Sequence, residues 1–142
     1  MKSLLLLLLI ASLGGCATYQ ADKYGNYNDV VLTDGEAKVI ANDITRYLKH
    51  TVGAKGVVNL NRDTSTFARV LDETLRYSGI GVTQQQAVYP NLNYRIEQLN
   101  PSQFVVTIEL GKGHFSKIWA LVNNRLVPLP TRTVFGGRVD GN

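Results

Sequence analysis

One short segment near the start of the chain has residue types and a spacing suited to covalent chemistry. The only cysteine of the 142 residues, Cys16, directly follows Leu13, Gly14 and Gly15. A cysteine thiolate is a strong nucleophile, and small residues before it leave the backbone accessible to a processing peptidase. A lone cysteine also excludes an internal disulfide framework and a cysteine-rich zinc site. The segment therefore predicts a cysteine that is free to react, beside an accessible stretch of backbone.

The residues before this segment predict an export signal. Lys2 supplies a positive charge, and residues 4–11 form an apolar run that is too short to cross a bilayer, which needs about 20 residues. In this context Leu13–Cys16 resembles the lipobox of bacterial lipoproteins. The resemblance implies that residues 1–15 are a signal peptide and that Cys16 is lipidated. Because each buried CH₂ contributes roughly 0.8 kcal/mol, two or more acyl chains would hold the protein on a bilayer permanently.

The residue after the cysteine bears on which membrane holds the protein. Lipoproteins kept at the inner membrane of enterobacteria often carry Asp at this position, whereas this chain has Ala17. The resemblance therefore implies the outer membrane, with the domain facing the periplasm. An ordinary cleaved leader with a stray cysteine, or an uncleaved anchor, is the alternative.

The composition is that of a globular protein with a mild positive charge. Hydrophobic residues make up 44% and charged residues 18%, and the formal net charge is +4, so wholesale disorder is not expected. The basic residues are scattered along the chain, whereas a nucleic-acid-binding protein usually gathers them on one face. We therefore expect no direct nucleic-acid binding, and anionic lipid or an acidic partner protein explains the charge equally well.

Residues 16–32 predict a tether between the lipidated cysteine and one folded domain. They are mostly polar and show no helical or strand period before the short β-prone run Val30, Val31 and Leu32. The favoured interpretation is a flexible, solvated tether. The alternative is that Val30–Leu32 binds a partner by adding as a strand to the edge of the partner's sheet.

Two amphipathic helices are predicted at the start of the domain. Thr33 and Glu36 have the spacing of a capping box, and the apolar residues after them recur every three to four positions, while Asp43 is predicted to face away from the core. The second helix is predicted to begin near Asp63 or Thr64, either of which can cap it. The predicted buried stripes are Ala37, Ile40, Ala41, Ile44, Tyr47 and Leu48, and then Phe67, Val70, Leu71, Thr74 and Leu75.

The second half of the domain changes to a period of two. Residues 92–97 and 104–110 alternate between apolar and polar side chains on either side of a turn, which indicates an antiparallel hairpin, and Asn123–Asn124 suits a second tight turn. Helices first and strands later predict an α+β fold, with two helices packed on a small, mostly antiparallel sheet. The domain is expected to span residues 33–130, with residues 131–142 as a mobile tail.

No set of residues predicts catalysis or metal binding. The two histidines, His50 and His114, are interpreted as a cation at a helix C-terminus and a polar residue at the start of a strand. The sequence has neither a Gly-x-Ser-x-Gly elbow nor a His-x-x-x-His pair. Phe115 and Trp119, on an alternating strand, predict core packing rather than an exposed recognition stripe. We therefore expect a non-enzymatic protein without a cofactor or a metal ion.

The order of these segments resembles a known family. The residues that carry the resemblance are Val39–Ile44, then Phe67–Val82 with its Phe…Leu-x-x-x-Leu-Arg-x-x-Gly pattern, and then the strands Tyr94–Leu99 and Phe104–Leu110. Together with the leader, residues 35–122 resemble the TrbH family of conjugal-transfer lipoproteins.

The resemblance implies a small outer-membrane lipoprotein of a mating-pair, or type IV secretion, channel. Its domain is expected to be similar to the short N-terminal domains of secretins and TonB-dependent transducers, which typically form rings by pairing sheet edges. The expected partners are outer-membrane and periplasmic channel proteins, further copies of the chain in a homo-oligomeric ring, and the bilayer at Cys16. The family brings no catalytic residues, so only Cys16 carries over as a functional position.

Two other classes of function stay open. An envelope binding or inhibitor lipoprotein that acts on a periplasmic or host hydrolase would need an exposed loop that plugs a cleft, and residues 84–91 form the candidate loop. A cell-wall or glycan enzyme would need a pair of acids in a groove.

Overall fold

The computed structural model describes residues 21–53 and 55–135, and for residues 131, 132, 134 and 135 it describes the backbone alone. Within these ranges the chain forms a strand, a helix, a second strand, a second helix and then five strands. The elements are β1 (Tyr27–Asn28), α1 (Asp34–Val52), β2 (Val57–Asn59), α2 (Thr66–Tyr77), β3 (Gly81–Thr83), β4 (Leu92–Asn100), β5 (Gln103–Leu110), β6 (Gly113–Val122) and β7 (Arg125–Phe135).

The strands form one larger sheet and one small pair. The larger sheet has the order β1-β4-β5-β6-β7, in which β4 to β7 are antiparallel neighbours and β1 runs parallel to β4. β2 and β3 form a separate parallel pair. Two helices and a mostly antiparallel sheet confirm the predicted α+β class.

The first helix begins and packs as its sequence predicts. The Glu36 backbone N–H donates to Thr33 Oγ1 at 3.2 Å, and the Thr33 N–H donates to Glu36 Oε2 at 2.9 Å, which is the reciprocal pattern of a capping box. The apolar stripe is buried apart from the partly buried Tyr47. The helix ends at Gly53, whose φ of +80° is a conformation that favours glycine.

The second helix has a different cap from the one predicted. Its N-cap is Ser65, whose hydroxyl accepts the Ala68 N–H at 3.1 Å, so the prediction of Asp63 or Thr64 is wrong. The reason is that the Asp63 carboxylate is already used, since it accepts the Ser65 N–H at 2.8 Å and the buried hydroxyl of Tyr94. The predicted stripe of α2 is buried throughout.

The helices cover one face of the sheet, and the core lies between them. The side chains that alternate into this core on β4 and β5 are buried, whereas their neighbours along each strand are partly exposed. Phe67 meets Tyr94 edge-on at a centroid distance of 5.0 Å, and Tyr47 stacks on Phe115 at 4.5 Å. Trp119 is also buried, so the prediction that the aromatic residues of β6 belong to the core is confirmed.

One ion pair joins the first helix to the sheet. The Lys117 ammonium on β6 donates to both oxygens of Asp43 at 2.8 and 2.9 Å, and these side chains are only 16% and 17% exposed. The prediction that Asp43 faces away from the core is therefore wrong. A lysine on the core face of a strand needs a carboxylate partner because burying an unpaired charge is costly, and α1 supplies that partner.

The domain is longer at both ends than the predicted span of residues 33–130. Before it, β1 pairs with β4 and Leu32 is buried in the core, so the later part of the predicted tether belongs to the fold. After it, β7 continues to Phe135, which pairs with His114. The rest of the predicted tail, residues 136–142, lies outside the described residues.

Candidate assembly surfaces

The predicted anchor lies just before the part of the chain that the structure describes. Cys16 and the peptidase segment Leu13, Gly14 and Gly15 are outside the described residues. The described chain begins beside the start of β4, where Gly25 packs against the Asn93 side chain. A covalent anchor at Cys16 would therefore act on the domain at this end of the sheet.

A buried asparagine fixes the chain where it joins the domain. The Asn26 amide donates to the Asn61 carbonyl at 2.8 Å and accepts the Tyr94 N–H at 3.2 Å, and the side chain is buried. A buried amide with both groups satisfied specifies one local arrangement. Sequence reasoning missed this residue because an asparagine in a polar segment has no period that marks it as buried.

Val30–Leu32 forms no strand within the chain itself, and its pairing with a partner's sheet stays a prediction. The backbone there is irregular, Val30 and Leu32 turn toward the core, and Val31 is 98% exposed. The strand that does add to a sheet edge is β1, and it adds to the chain's own β4. Burial under the helices stabilises Leu32 in this position.

The outward backbone groups along the β4 edge of the sheet already form hydrogen bonds with the chain segment that precedes α1. The outward N–H groups of Tyr94 and Gln98 donate to the side chains of Asn26 and Asp29, the latter at 2.9 Å. Between them β1 pairs with β4, and the Asp29 N–H donates to the Ile96 carbonyl at 3.1 Å. A partner strand can pair with this edge only by displacing residues 26–29.

At the opposite edge of the sheet, prolines in β7 disfavour pairing with a further strand. Asn123 and Asn124 have φ values of 50° and 58°, which fit a two-residue hairpin turn in which the Arg125 N–H points to β6. Alternation along an antiparallel strand then points the nitrogen of Pro128 away from β6. A proline has no N–H to donate, which is a common way to protect a sheet edge. Pairing of this half of β7 with a further strand is therefore disfavoured.

An apolar surface lies at the end of the sheet where β6 turns into β7. We call it the apolar end surface, and it consists of Val31, Val39, Leu121 and Leu126. Two clefts meet there, of about 170 and 640 Å³, and Leu121, Leu126 and Glu36 line both of them. The signal in the sequence is faint, because Val31 and Leu121 are 90 residues apart in the chain.

A polar groove of about 580 Å³ runs between the exposed sides of the two helices. Its centre is Arg69, which donates to Glu73 at 3.1 Å and to Asp34 at 2.9 Å. Hydrogen bonds to Glu73 and then to Asp34 raise the pKa of Arg69 above its already high ordinary value. The two carboxylates that line the groove are therefore both paired to Arg69.

The titratable residues of the core and strands do not converge on a cavity. The Tyr94 hydroxyl is buried against Asp63, and its pKa is raised above 10 by burial and then by that hydrogen bond. His50 lies in the last turn of α1, and His114 lies opposite Glu109 on the sheet. Within residues 21–53 and 55–135, no group of three or more His, Cys, Asp or Glu side chains is placed to hold a metal ion.

The loop of residues 84–91 is held against the small strand pair. The Asn59 amide donates to the carbonyls of Gln86 and Tyr89 at 2.6 and 2.8 Å, and its oxygen accepts the Gln86 N–H at 3.0 Å. Val88 is nevertheless 79% exposed at the tip. The loop therefore presents an apolar side chain from a fixed backbone, at the start of β4 and away from the apolar end surface.

These features define a small α+β domain. Its β7 edge carries prolines, its β4 edge is paired with β1, and its apolar end surface is exposed. None of the helices in the described ranges has the length and apolar character of a membrane span. The family model for the conjugal transfer protein TrbH matches residues 20–136. The chain thus belongs to the TrbH family, which makes it a component of a conjugal transfer system with its type IV secretion apparatus.

Other comparisons add no relative. No curated protein and no solved structure matches the chain. The likeness to the N-terminal domains of secretins and TonB-dependent transducers therefore stays a prediction, while the α+β architecture is established by the structure itself.

Proposed function

We propose that this protein is a non-enzymatic, structural lipoprotein of the outer membrane that anchors and assembles the subunits of a conjugative type IV secretion channel. The observation that carries the proposal is a lipobox cysteine in front of a domain of the TrbH family. Acyl chains on Cys16 would hold the protein on the periplasmic side of the outer membrane, and the domain would present its exposed surfaces to channel subunits.

The arrangement of the domain supports this role. Only five residues stand between Cys16 and Asp22. The six steps from one to the other, at roughly 3.5 Å each, reach no further than about 21 Å. The domain is then fastened at once by Asn26 and β1. A short connection followed by a fixed junction would keep the domain close to the membrane, which suits an assembly role.

The test is acylation, localisation and DNA transfer in donor cells that carry Cys16→Ser. We expect the variant to lose incorporation of labelled palmitate, to leave the outer-membrane fraction and to lower the frequency of transfer by at least tenfold. Ser12→Ala, in the leader but outside the lipobox, is the matched control and should behave as wild type. The proposal fails if Cys16→Ser stays in the outer membrane and transfers DNA at the wild-type frequency.

A binding or inhibitor lipoprotein is the second candidate, and the fixed loop with Val88 at its tip favours it. An inhibitor loop benefits from a fixed backbone because less conformational entropy is lost on binding. If this candidate is correct, Val88→Asp should abolish inhibition of the target hydrolase while DNA transfer stays unchanged. A loss of transfer in this variant would instead place the loop in channel assembly.

A further inference from the structure

Most lysines of the domain form no ion pair, and the fold gathers these lysines at one end. In the described ranges, the exposed lysine and arginine side chains without an ion pair are Lys23, Lys38, Lys49, Lys55, Lys112 and Arg125. All of these except Lys38 and Arg125 lie at the end of the sheet where β4 and β6 begin. We call Lys23, Lys49, Lys55 and Lys112 the basic end.

The contacts of α1 with the sheet place its last turn at the basic end. The Lys117 ammonium in the middle of β6 donates to Asp43, and Phe115, near the start of β6, stacks on Tyr47. The helix therefore runs antiparallel to β6, with its C-terminus beside the first residues of that strand. Lys49 lies in the last turn of α1 and is exposed.

The other three lysines come to the same end from three separate segments. Lys112 lies in the turn that joins β5 to β6. Lys23 lies in the turn that packs against Asn93, the second residue of β4. Lys55 lies two residues before β2, whose last residue pairs in parallel with Asn91, directly before β4.

Few negative charges oppose these lysines. The described carboxylates at this end belong to Asp22 and Glu109. Asp22 accepts the backbone N–H groups of Tyr24 and Asn26 at 2.8 Å each, and Glu109 lies 4.0 Å from the Arg95 guanidinium. The basic end therefore keeps a net positive charge, which attracts an anionic surface.

The chain that leads to Cys16 leaves the domain from this same end. Asp22 directly precedes Lys23, and the connection from Asp22 to Cys16 extends over at most about 21 Å. This connection alone permits many orientations of the domain on a bilayer. Charge decides among them, because each lysine close to an anionic membrane raises the partition coefficient about fivefold, the equivalent of about 1 kcal/mol. An anchor at Cys16 also raises the local concentration of the bilayer at this end above that of any soluble acidic protein.

An exposed aromatic residue at the same end suits the surface of a membrane. Tyr77 ends α2 and is 96% exposed. The Gly81 N–H donates to the Gly56 carbonyl at 2.9 Å, which places the end of α2 beside the turn that holds Lys55. Tyrosine is enriched where a bilayer meets water, because its ring is apolar and its hydroxyl is polar.

We propose that the basic end binds the anionic phospholipid headgroups of the membrane that carries the lipid on Cys16. The inference rests on the proposed function for the anchor, whereas the affinity of the lysines for headgroups does not depend on it. It adds a second, electrostatic attachment and an orientation of the domain. With the basic end on the bilayer, the apolar end surface faces away from the membrane.

The first test measures binding of the mature chain with Cys16→Ser to vesicles, so that the acyl chains do not contribute. In salt of about 0.1 M, we expect it to co-sediment with phosphatidylcholine vesicles that contain about one third phosphatidylglycerol, and not with pure phosphatidylcholine vesicles. Lys49→Gln and Lys112→Gln should each lower the partition coefficient about fivefold. Both side chains are exposed, so the variants should keep the wild-type unfolding midpoint.

Lys38→Gln is the matched control, because it removes the same charge from another exposed lysine of α1. Lys38 lies about three turns before Lys49, or roughly 16 Å, which exceeds the screening length of about 10 Å in this salt. It should change the partition coefficient less than twofold. Equal losses in Lys38→Gln and Lys49→Gln would mean that only the net charge matters, and would overturn the inference.

The second test measures orientation in the full-length, acylated protein reconstituted in the same anionic vesicles. A photo-crosslinking side chain at position 112 should form adducts with phospholipid, whereas the same side chain at position 125, at the other end of the sheet, should form few. Equal yields of lipid adducts at the two positions overturn the proposed orientation. Binding of an acidic channel subunit or of DNA at the basic end, without binding to anionic vesicles, overturns the proposed ligand.

The two proposals fail separately. If Cys16→Ser abolishes transfer while the mature chain does not bind anionic vesicles, the proposed function stands and the headgroup surface is wrong. If the vesicles are bound through Lys49 and Lys112 while Cys16→Ser leaves localisation and transfer unchanged, the headgroup surface stands and the proposed function is wrong.

Discussion

Neutralising Asp43 should destabilise the domain far more than its place on a predicted solvent face suggests. In Asp43→Asn the Lys117 ammonium, only 16% exposed, loses the opposite charge of its partner and one of its two acceptor oxygens. Removing one partner of a fully buried ion pair costs roughly 3–5 kcal/mol, and an exposed pair contributes roughly 0–1 kcal/mol. For a pair that is mostly but not fully buried, we expect a loss of about 2 kcal/mol.

Urea unfolding of the mature chain with Cys16→Ser measures this loss. The single tryptophan, Trp119, is buried and lies 5.3 Å from the Lys117 ammonium, so its fluorescence reports unfolding of the region in question. Arg46 is a matched control, since it approaches Asp43 only at 3.7 Å and is 73% exposed. Arg46→Ala should change the free energy of unfolding by less than about 0.5 kcal/mol.

A double variant shows whether the loss in Asp43→Asn comes from leaving the Lys117 charge buried without a partner or from losing a favourable contact. Replacing both partners of a buried pair by apolar residues of similar size is often neutral, so Asp43→Leu with Lys117→Met should recover most of the stability lost in Asp43→Asn. A loss below about 0.5 kcal/mol in Asp43→Asn, or no recovery in the double variant, would refute the reasoning that Lys117 needs Asp43 because it is buried.

Three further substitutions test other parts of the fold, all by denaturant unfolding. Gly35→Ala should stabilise the domain by about 0.5 kcal/mol, because the added Cβ meets no atom within 4 Å in the first turn of α1; an unchanged midpoint would contradict this. Asn26→Ala should lower the free energy of unfolding by about 2 kcal/mol, because it leaves the Tyr94 N–H and the Asn61 carbonyl unpaired. A loss near zero, as for a substitution on the surface, would contradict this. Tyr94→Phe should reduce the loss of stability at high pH: the raised pKa keeps Tyr94 neutral in the fold while the unfolded chain ionises near pH 10, so wild-type stability falls as pH rises above about 10. Equal alkaline slopes in the two proteins would count against it.

Local patterns in the amino-acid sequence determine much of the fold. The capping box at Thr33, the buried stripes of both helices and the hairpin of β4 and β5 all follow from residues a few positions apart. Such features depend on backbone geometry that repeats every 3.6 or two residues, so they can be read from the sequence directly. The predicted anchor at Cys16 is of the same kind, since a short run of residues defines it.

The tertiary structure decided what depends on residues distant in the chain. Asp43 is 74 residues from Lys117, and Asn26 is 68 residues from Tyr94, and neither contact leaves a period in the sequence. The two-residue β1 is too short to be recognised locally, and it exists because β4 offers a free edge beside it. The apolar end surface joins Val31 to Leu121 only once the helices and hairpins have packed. Burial and edge pairing depend on how the helices and the sheet pack together. They place the junction with the preceding chain at one end of the sheet and the exposed apolar side chains at the other.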